Sequence, residues 1–141
     1  MIKVIQVNGT EKHLYELVAP LVMNPKVLNY NNDYPFKTGE KFIWFIALSD
    51  EEVIGFMPME ERGKQWIINN YYINPEAEEK VFKALLKAIG KFKMKDKELT
   101  AVVQKQHKNY FSDQHFETIK EWKIYIKMIY TKKKKDESEQ Q

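Results

Sequence analysis

The spacing of apolar residues in the first part of the chain predicts a strand followed by a helix. Residues 2–7 are rich in β-branched side chains and predict a first strand. Between residues 14 and 22 the apolar positions recur at helical spacing, and Thr10 is the predicted N-cap of this helix. Because Pro20 falls inside the pattern, we expect the helix to kink or to end near Ala19.

Three apolar segments in the middle of the chain predict an antiparallel meander. Residues 42–48 are apolar on both faces, as in a buried central strand. Residues 53–59 follow a short acidic turn, and Pro58 indicates an edge or a bulge because proline donates no ladder hydrogen bond. Residues 65–73 complete the meander as a third strand.

Pro75 opens the most regular helical pattern of the chain, with acidic residues at its start and lysines near its end, as the helix dipole favours. Beyond this helix, residues 98–103 predict a strand and residues 104–114 a polar helical segment. Strand-like alternation returns from residue 116 to residue 130. The strand–helix–strand crossover around the central helix predicts one parallel pair in a sheet that is otherwise antiparallel.

Residues 24–40 differ from the rest because they hold two prolines and a glycine among Asn and Tyr residues and lack a sustained period. Structureless connections longer than about 12–15 residues are uncommon unless they are functional or mobile. We expect either a short helix near residues 26–30 or one wall of a pocket. Tyr30 and Tyr34 are the candidate substrate-binding residues of this segment.

The composition describes a chain of 141 residues, of which 43% are hydrophobic and 13% aromatic. Aromatic side chains in this proportion supply enough apolar surface to offset the entropy of ordering the chain. We therefore expect a single domain over residues 1–130. Residues 131–141 form a charged, low-complexity tail that we expect to be disordered.

The charges and the missing residue types exclude several functions. The net charge is +3, and acidic and basic side chains are nearly balanced over the body, which disfavours nucleic acid as a partner. The lysines over residues 87–97 and in the tail leave salt-sensitive nucleic-acid binding as an alternative. The sequence holds no Cys, which excludes disulfides and cysteine-ligated zinc, and its three His lack metal-ligand spacing, so no metal is expected. With no apolar window long enough for a membrane span and no secretory leader, we expect a cytoplasmic protein without a membrane partner.

Three short texts, taken with the order of elements, resemble the GNAT superfamily of N-acyltransferases. They are Val53-Ile54-Gly55-Phe56 on a strand, Ile73-Asn74-Pro75 before the long helix, and Asn109-Tyr110-Phe111-Ser112-Asp113-Gln114-His115-Phe116 before the last hairpin. The resemblance spans nearly all of residues 1–130. It implies an α/β (α+β) fold with a central mixed, mostly antiparallel sheet of six to seven strands flanked by helices.

The resemblance implies acyl transfer from acetyl-CoA, or another acyl-CoA, to an unidentified small-molecule or protein amine, with a homodimer as one option. In the family, backbone N–H groups at the start of the helix after the proline hold the pyrophosphate. The family's Arg/Gln position falls on Glu78, and its two later glycines fall on Val81 and Lys83. The implied pyrophosphate contacts are therefore Glu79, Lys80 and Val81. Alternatively, the acidic residues here only cap the helix.

The resemblance also implies a carboxylate on the fourth strand as general base and a Tyr on the last helix as general acid. Residues 65–73 hold no acid, and Phe111 falls at the Tyr position. Tyr110 and His107 are therefore the candidate catalytic residues, because a spacing of three places them on roughly the same helix face. The alternative is that His107 is an ordinary surface residue.

Two strand ends that separate in the family leave edges between which the pantetheine arm inserts. Residues 70–73 and 100–103 correspond to these edges, and the N–H of Tyr72 is the candidate donor to the thioester carbonyl. The candidate cofactor contacts at the edges are Tyr72, Ile73 and Gln104. The candidate acceptor contacts are Asn70 and Tyr71. Either Tyr71 or Tyr72 can equally belong to the core. An enzyme predicts an open cleft here, whereas a catalytically inactive ligand- or partner-binding module allows a closed one.

Overall fold

A computed structural model describes residues 1–131, so the predicted tail lies, apart from Thr131, outside the described residues. The described chain has an α+β fold. Its strands are β1 (Ile2–Asn8), β2 (Phe42–Ser49), β3 (Glu52–Arg62), β4 (Gln65–Ile68), β5 (Tyr72–Ile73), β6 (Glu98–Gln104), β7 (Phe116–Glu121) and β8 (Tyr125–Tyr130). Its helices are α1 (Lys12–Val22), α2 (Pro25–Tyr30), α3 (Glu78–Gly90) and α4 (Lys108–Ser112), with 3₁₀ turns at Pro75–Ala77 and Lys105–His107.

The strands form one mixed, mostly antiparallel sheet in the order β1-β2-β3-β4-β6-β8-β7, and β5 pairs with β3 beside β4. The parallel pair that the crossover predicts is confirmed, since β4 and β6 pair in parallel on either side of α3. The sheet has eight strands rather than six to seven because the segment 65–73 divides into two. Within residues 1–131, no helix is long and apolar enough to cross a membrane.

Helices cover both faces of the sheet, and each face has its own core. Along β2, Phe45 and Ala47 belong to the core beneath α3, whereas Trp44 and Ile46 belong to the core beneath α1 and α2. This alternation follows from the two-residue period of a strand. β2, which is apolar from Phe42 to Leu48, is therefore buried on both faces at its centre, as its sequence predicts.

α1 differs from its prediction at both ends. It does not end near Ala19 but continues past Pro20 to Val22, because a proline in the last turn removes a single helical hydrogen bond. The N-cap is Glu11 rather than Thr10. Glu11 accepts the Leu14 N–H through its backbone oxygen at 3.1 Å and the Asn8 N–H through its side chain at 3.3 Å.

Pro58 lies in an internal strand rather than at an edge of the sheet, but its donor side has no partner strand, as its missing N–H predicts. The Asn74 N–H donates to the Ile54 oxygen on the side of β3 that β5 occupies. Because alternate residues of a strand direct their backbone groups to the same side, the backbone nitrogen of Pro58 also faces this side. On that side β5 pairs with β3 as far as Phe56, and β4 pairs from Met59 onward. Pro58 is tolerated because the missing N–H faces the gap between these two partners.

The same gap divides the predicted third strand of the meander. Residues 69–71 leave the ladder, and Asn70 has a φ of 59°, a left-handed conformation that Asn tolerates better than most residues. After this turn β5 pairs with β3, while β6 continues on the other side against β8. The short helix expected near residues 26–30 is confirmed as α2, whose N-terminus is capped by Asn24.

A candidate active site at a fork in the sheet

The functional candidates gather where β4 and β6 stop running together. The parallel pairing ends at Ile68 and Ala101. Beyond this point β5 is held by β3, and β6 continues to Gln104 against β8. The two chains therefore diverge, and we call the space between residues 71–73 and 102–104 the fork.

Tyr71 bridges the base of the fork. Its side chain is only 1% exposed, and its Oη accepts the backbone N–H of Gln104 at 3.1 Å. The same Oη lies 2.8 Å from Nδ1 of His107. Burial raises the pKa of the Tyr71 phenol, which therefore stays protonated and donates its hydrogen to Nδ1. We assign the His107 proton to Nε2 on this basis.

His107 is buried and presents Nε2 to two groups from other parts of the chain. The Tyr30 Oη lies 3.2 Å away, and Oε2 of Glu78 lies 3.5 Å away. Burial lowers the pKa of His107, and the nearby Glu78 carboxylate opposes that shift. The alternative of an ordinary surface histidine is therefore wrong, because its helical turn packs against the fork.

Glu78, the first residue of α3, is the acceptor at the centre of this cluster. Its carboxylate accepts from the Tyr30 phenol at 2.9 Å and from the Tyr110 phenol at 3.2 Å. Burial and then the Glu78 carboxylate raise the pKa of both phenols, so both remain donors at neutral pH. Tyr110 and His107 both turn toward Glu78, as their spacing predicts.

Aromatic rings fill the fork. The Tyr30 ring lies between Tyr72 on β5 and His107 after β6, with centroid distances of 5.3 and 5.5 Å. From the α3 side, Phe82 stacks on Tyr110 at 4.7 Å and packs edge-on against Tyr71 at 5.6 Å. The fork is thus present but closed by side chains, which differs from the open cleft that we expect of an enzyme.

The end of α2 lies across the fork and is held at three points. The Tyr30 backbone oxygen accepts from Gln104 Nε2 at 2.8 Å. Asn31 Nδ2 donates to Asn70 Oδ1 at 3.1 Å, and Asn32 Nδ2 donates to the Tyr125 phenol at 2.7 Å. We call residues 30–32 the anchor segment, because its residues bind the end of β6, the turn at Asn70 and the start of β8, respectively.

The start of α3 offers backbone N–H groups but not the side chains that the resemblance implies. The first amides of an α-helix have no partner within the helix, and the side chains of Glu79 and Lys80 are exposed there. Val81, in contrast, is 0% exposed, and it packs so close to Gly55 that a Cβ on that glycine would lie 2.8 Å from Val81 Cγ1. The Val81 side chain therefore belongs to the core and does not face a ligand at the helix start.

The remaining candidates lie at or near the fork with different orientations. The Tyr72 N–H, like that of Asn74, points toward β3, so Ile73 presents the β5 amide that faces the fork. Tyr34 is 57% exposed, and its backbone pairs with Asn31, whose Nδ2 donates to the Tyr34 oxygen and whose backbone oxygen accepts the Tyr34 N–H. Phe111, at the family's Tyr position, is buried in the core.

Sequence reasoning missed Glu78 as the acceptor and Phe82 as the ring that closes the fork from the α3 side. The Tyr30–Glu78 and Tyr110–Glu78 bonds join residues 48 and 32 positions apart, which no local pattern reveals. The available signal was a carboxylate at the family's Arg/Gln position. Among residues 1–131, no group of three or more His, Asp and Glu is placed to hold a metal ion.

No protein-family model matches the sequence, and no curated protein matches it. The structure is similar to Escherichia coli ElaA, with a TM-score of 0.72 and 14% identity over 93% of this chain and 100% of that one. It is similar to an acyl-CoA N-acyltransferase from Pseudomonas aeruginosa, with a TM-score of 0.69 and 15% identity over 93% and 100%. An N-acetyltransferase from Thermoplasma acidophilum, solved with coenzyme A, gives a TM-score of 0.67 and 16% identity over 93% and 99%. The chain therefore has the fold of the GNAT N-acyltransferases, as its resemblance to that superfamily predicts.

Proposed function

We propose that this chain is an acyl-CoA-dependent N-acyltransferase that acts on an amine at the fork. The observation that carries the proposal is the cluster of Glu78, His107 and Tyr110 where β5 and β6 separate. A carboxylate, a buried imidazole and a protonated phenol within reach of one another are the groups that acid–base chemistry needs. Support for the cosubstrate comes from the fold, since one similar structure was solved with coenzyme A.

The cluster supplies both proton transfers of a direct attack. The acceptor ammonium loses a proton to the Glu78 carboxylate, and the free amine attacks the thioester carbon. As the C–N bond forms and the C–S bond breaks, the nitrogen loses a second proton. The Tyr110 phenol gives a proton to the departing thiolate and regains the second proton lost by the nitrogen. The products are therefore an amide, free CoA thiol and one released proton.

The backbone fits acyl-CoA better than the side chains do. The fork-facing amide of Ile73 suits pairing with the pantetheine arm, and the backbone amides at the start of α3 suit the pyrophosphate. The Glu78 and Glu79 carboxylates oppose that anion, since like charges at ~4 Å cost about 1 kcal/mol in water and several times that near a protein surface. Lys80 offsets part of this repulsion.

A second candidate is a GNAT-fold module that binds a ligand or partner without turnover. The closure of the fork by the Tyr30 and Phe82 rings favours it, because a pantetheine arm cannot share that space. The same polar cluster then serves only to stabilise the closed fork. Binding and turnover must therefore be tested separately.

Binding is tested by calorimetric titration of CoA and acetyl-CoA into the full chain. We expect micromolar affinity, weakened about tenfold by Lys80→Glu, because the change adds two units of negative charge beside the pyrophosphate position. The matched control is Lys91→Glu at the other end of α3, where we expect less than about a twofold change. No heat at millimolar ligand contradicts the proposal.

Turnover is tested by thiol release from acetyl-CoA in the presence of primary amines and a lysine-containing peptide. We expect Glu78→Gln to lower the rate by about 10²–10⁴, because general acid–base catalysis contributes factors of this size. Tyr110→Phe should lower it less, since water can protonate a thiolate. Tight binding of acetyl-CoA with no thiol release from any amine supports the second candidate instead.

A further inference from the structure

We infer that Tyr30 is a displaceable plug, which closes the fork in the free protein and leaves it when a ligand enters. The inference rests on the proposed function, because the ligand that displaces the plug is the pantetheine arm of acyl-CoA. It adds regulation of entry to that function. The anchor segment at the end of α2 then controls when the cluster around Glu78 is accessible.

The position of the Tyr30 ring shows that it excludes another occupant. The ring lies 5.3 Å from the Tyr72 ring on one side and 5.5 Å from the His107 ring on the other, measured between centroids. Its Oη reaches Glu78, which we assign to proton transfer, and His107 in the same cluster. A ligand that contacts Glu78 through the fork must therefore move Tyr30 first.

The contacts of Tyr30 are of a kind that a ligand can replace. Tyr30 is half-buried and is held by polar bonds to Glu78, His107 and Gln104, in addition to ring contacts. Phe82, in contrast, is fully buried in the apolar core and makes only ring and aliphatic contacts. Of the two rings that close the fork, Tyr30 is therefore the one able to leave without opening the core.

The backbone after Tyr30 has the features of a hinge. Asn32 and Asp33 take φ values of 55° and 63°, two successive left-handed residues at the end of a short helix. The Asn32 bond to Tyr125 is exposed, so water replaces it readily when the segment lifts. A change of φ at these two residues would let the end of α2, with Tyr30, shift relative to the segment that follows it.

The test compares Tyr30→Ala and Tyr30→Phe with Tyr15→Ala, which removes a tyrosine that is 54% exposed on α1. If the plug must leave before CoA binds, its removal raises the fraction of binding-competent protein. We expect Tyr30→Ala to tighten CoA binding about tenfold to a hundredfold, Tyr30→Phe less than tenfold, and Tyr15→Ala not at all. Tyr30→Phe keeps the ring, so it remains informative if Tyr30→Ala does not fold.

A second readout does not depend on CoA. The Gln104 amide donates to Tyr71 at the base of the fork, behind the Tyr30 ring, so its hydrogen exchange reports solvent entry. We expect about tenfold faster exchange in Tyr30→Ala. Faster exchange with no CoA binding in any variant would overturn the proposed function and support the plug. CoA binding that is unchanged or weaker in both Tyr30 variants would overturn the plug alone, as would unchanged Gln104 exchange.

Discussion

The ladder of β1, β2 and β3 and the fork between β5 and β6 belong to the same sheet but are stabilised by different interactions. In β2 the side chains from Phe42 to Leu48 are all apolar, and the two-residue period sends alternate side chains into the two cores. At the fork the ladder stops, and polar side chains from α2, α3 and the turn after β6 replace its hydrogen bonds. Stability in the first region comes from burial, whereas the second depends on a few specific polar bonds.

The largest expected effect comes from the ladder. Ile46→Ala removes a fully buried side chain from the core beneath α1 and should lower the free energy of unfolding by about 2–5 kcal/mol. Urea unfolding measures this loss, with Ile119→Ala, a residue 53% exposed on β7, as the control at about 0.5 kcal/mol or less. A loss below about 1 kcal/mol at Ile46 would contradict the view that burial stabilises this region.

The next effect belongs to the fork. Tyr71→Phe keeps the buried ring but leaves the Gln104 N–H and the His107 Nδ1 without their partner. Because buried polar groups without partners cost about 1–3 kcal/mol, we expect a loss in that range despite the small change in volume. Urea unfolding measures it. An unchanged stability would mean that the hydrogen-bonded bridge does not stabilise the fork.

The contrast between the regions explains how much the sequence predicts. Strands, the long helix and the parallel crossover follow from local periodicity, so the element order and the fold can be predicted from residues such as those of β2. His107 and Tyr110 share a face by helical spacing alone. Their acceptor Glu78 lies 32 residues before Tyr110, and Tyr30 lies 77 residues before His107. Both contacts therefore depend on tertiary packing. The turn at Asn70, which divides a strand that looks continuous in the sequence, follows from the same packing.

The pH dependence of stability separates the fork histidine from an exposed one. Burial lowers the folded-state pKa of His107 below the usual histidine value of about 6.5, despite the opposing Glu78 carboxylate. As the pH falls below about 6.5, the unfolded chain takes up a proton that the folded chain does not, so stability falls until the lower folded pKa is reached. Thermal unfolding between about pH 7.5 and 5.5 should show this loss, at up to about 1.4 kcal/mol per pH unit.

The control is provided by a second histidine. His107→Gln should flatten the pH dependence, and His13→Gln, at an exposed position of α1, is the matched substitution outside the fork. A pH dependence that survives His107→Gln would place its origin outside the fork.

The smallest expected effect comes from a matched chemical change at the outer end of the anchor segment. Tyr125→Phe removes the hydroxyl that accepts from Asn32 Nδ2, as Tyr71→Phe removes the hydroxyl that accepts from Gln104. The Asn32 bond is exposed, so water takes the place of the lost partner and we expect a cost of about 0.5 kcal/mol or less by urea unfolding. Equal losses in the two Tyr→Phe variants would show that burial does not set the strength of these bonds, and the distinction between a stable bridge at Tyr71 and a readily released anchor at Asn32 would fail.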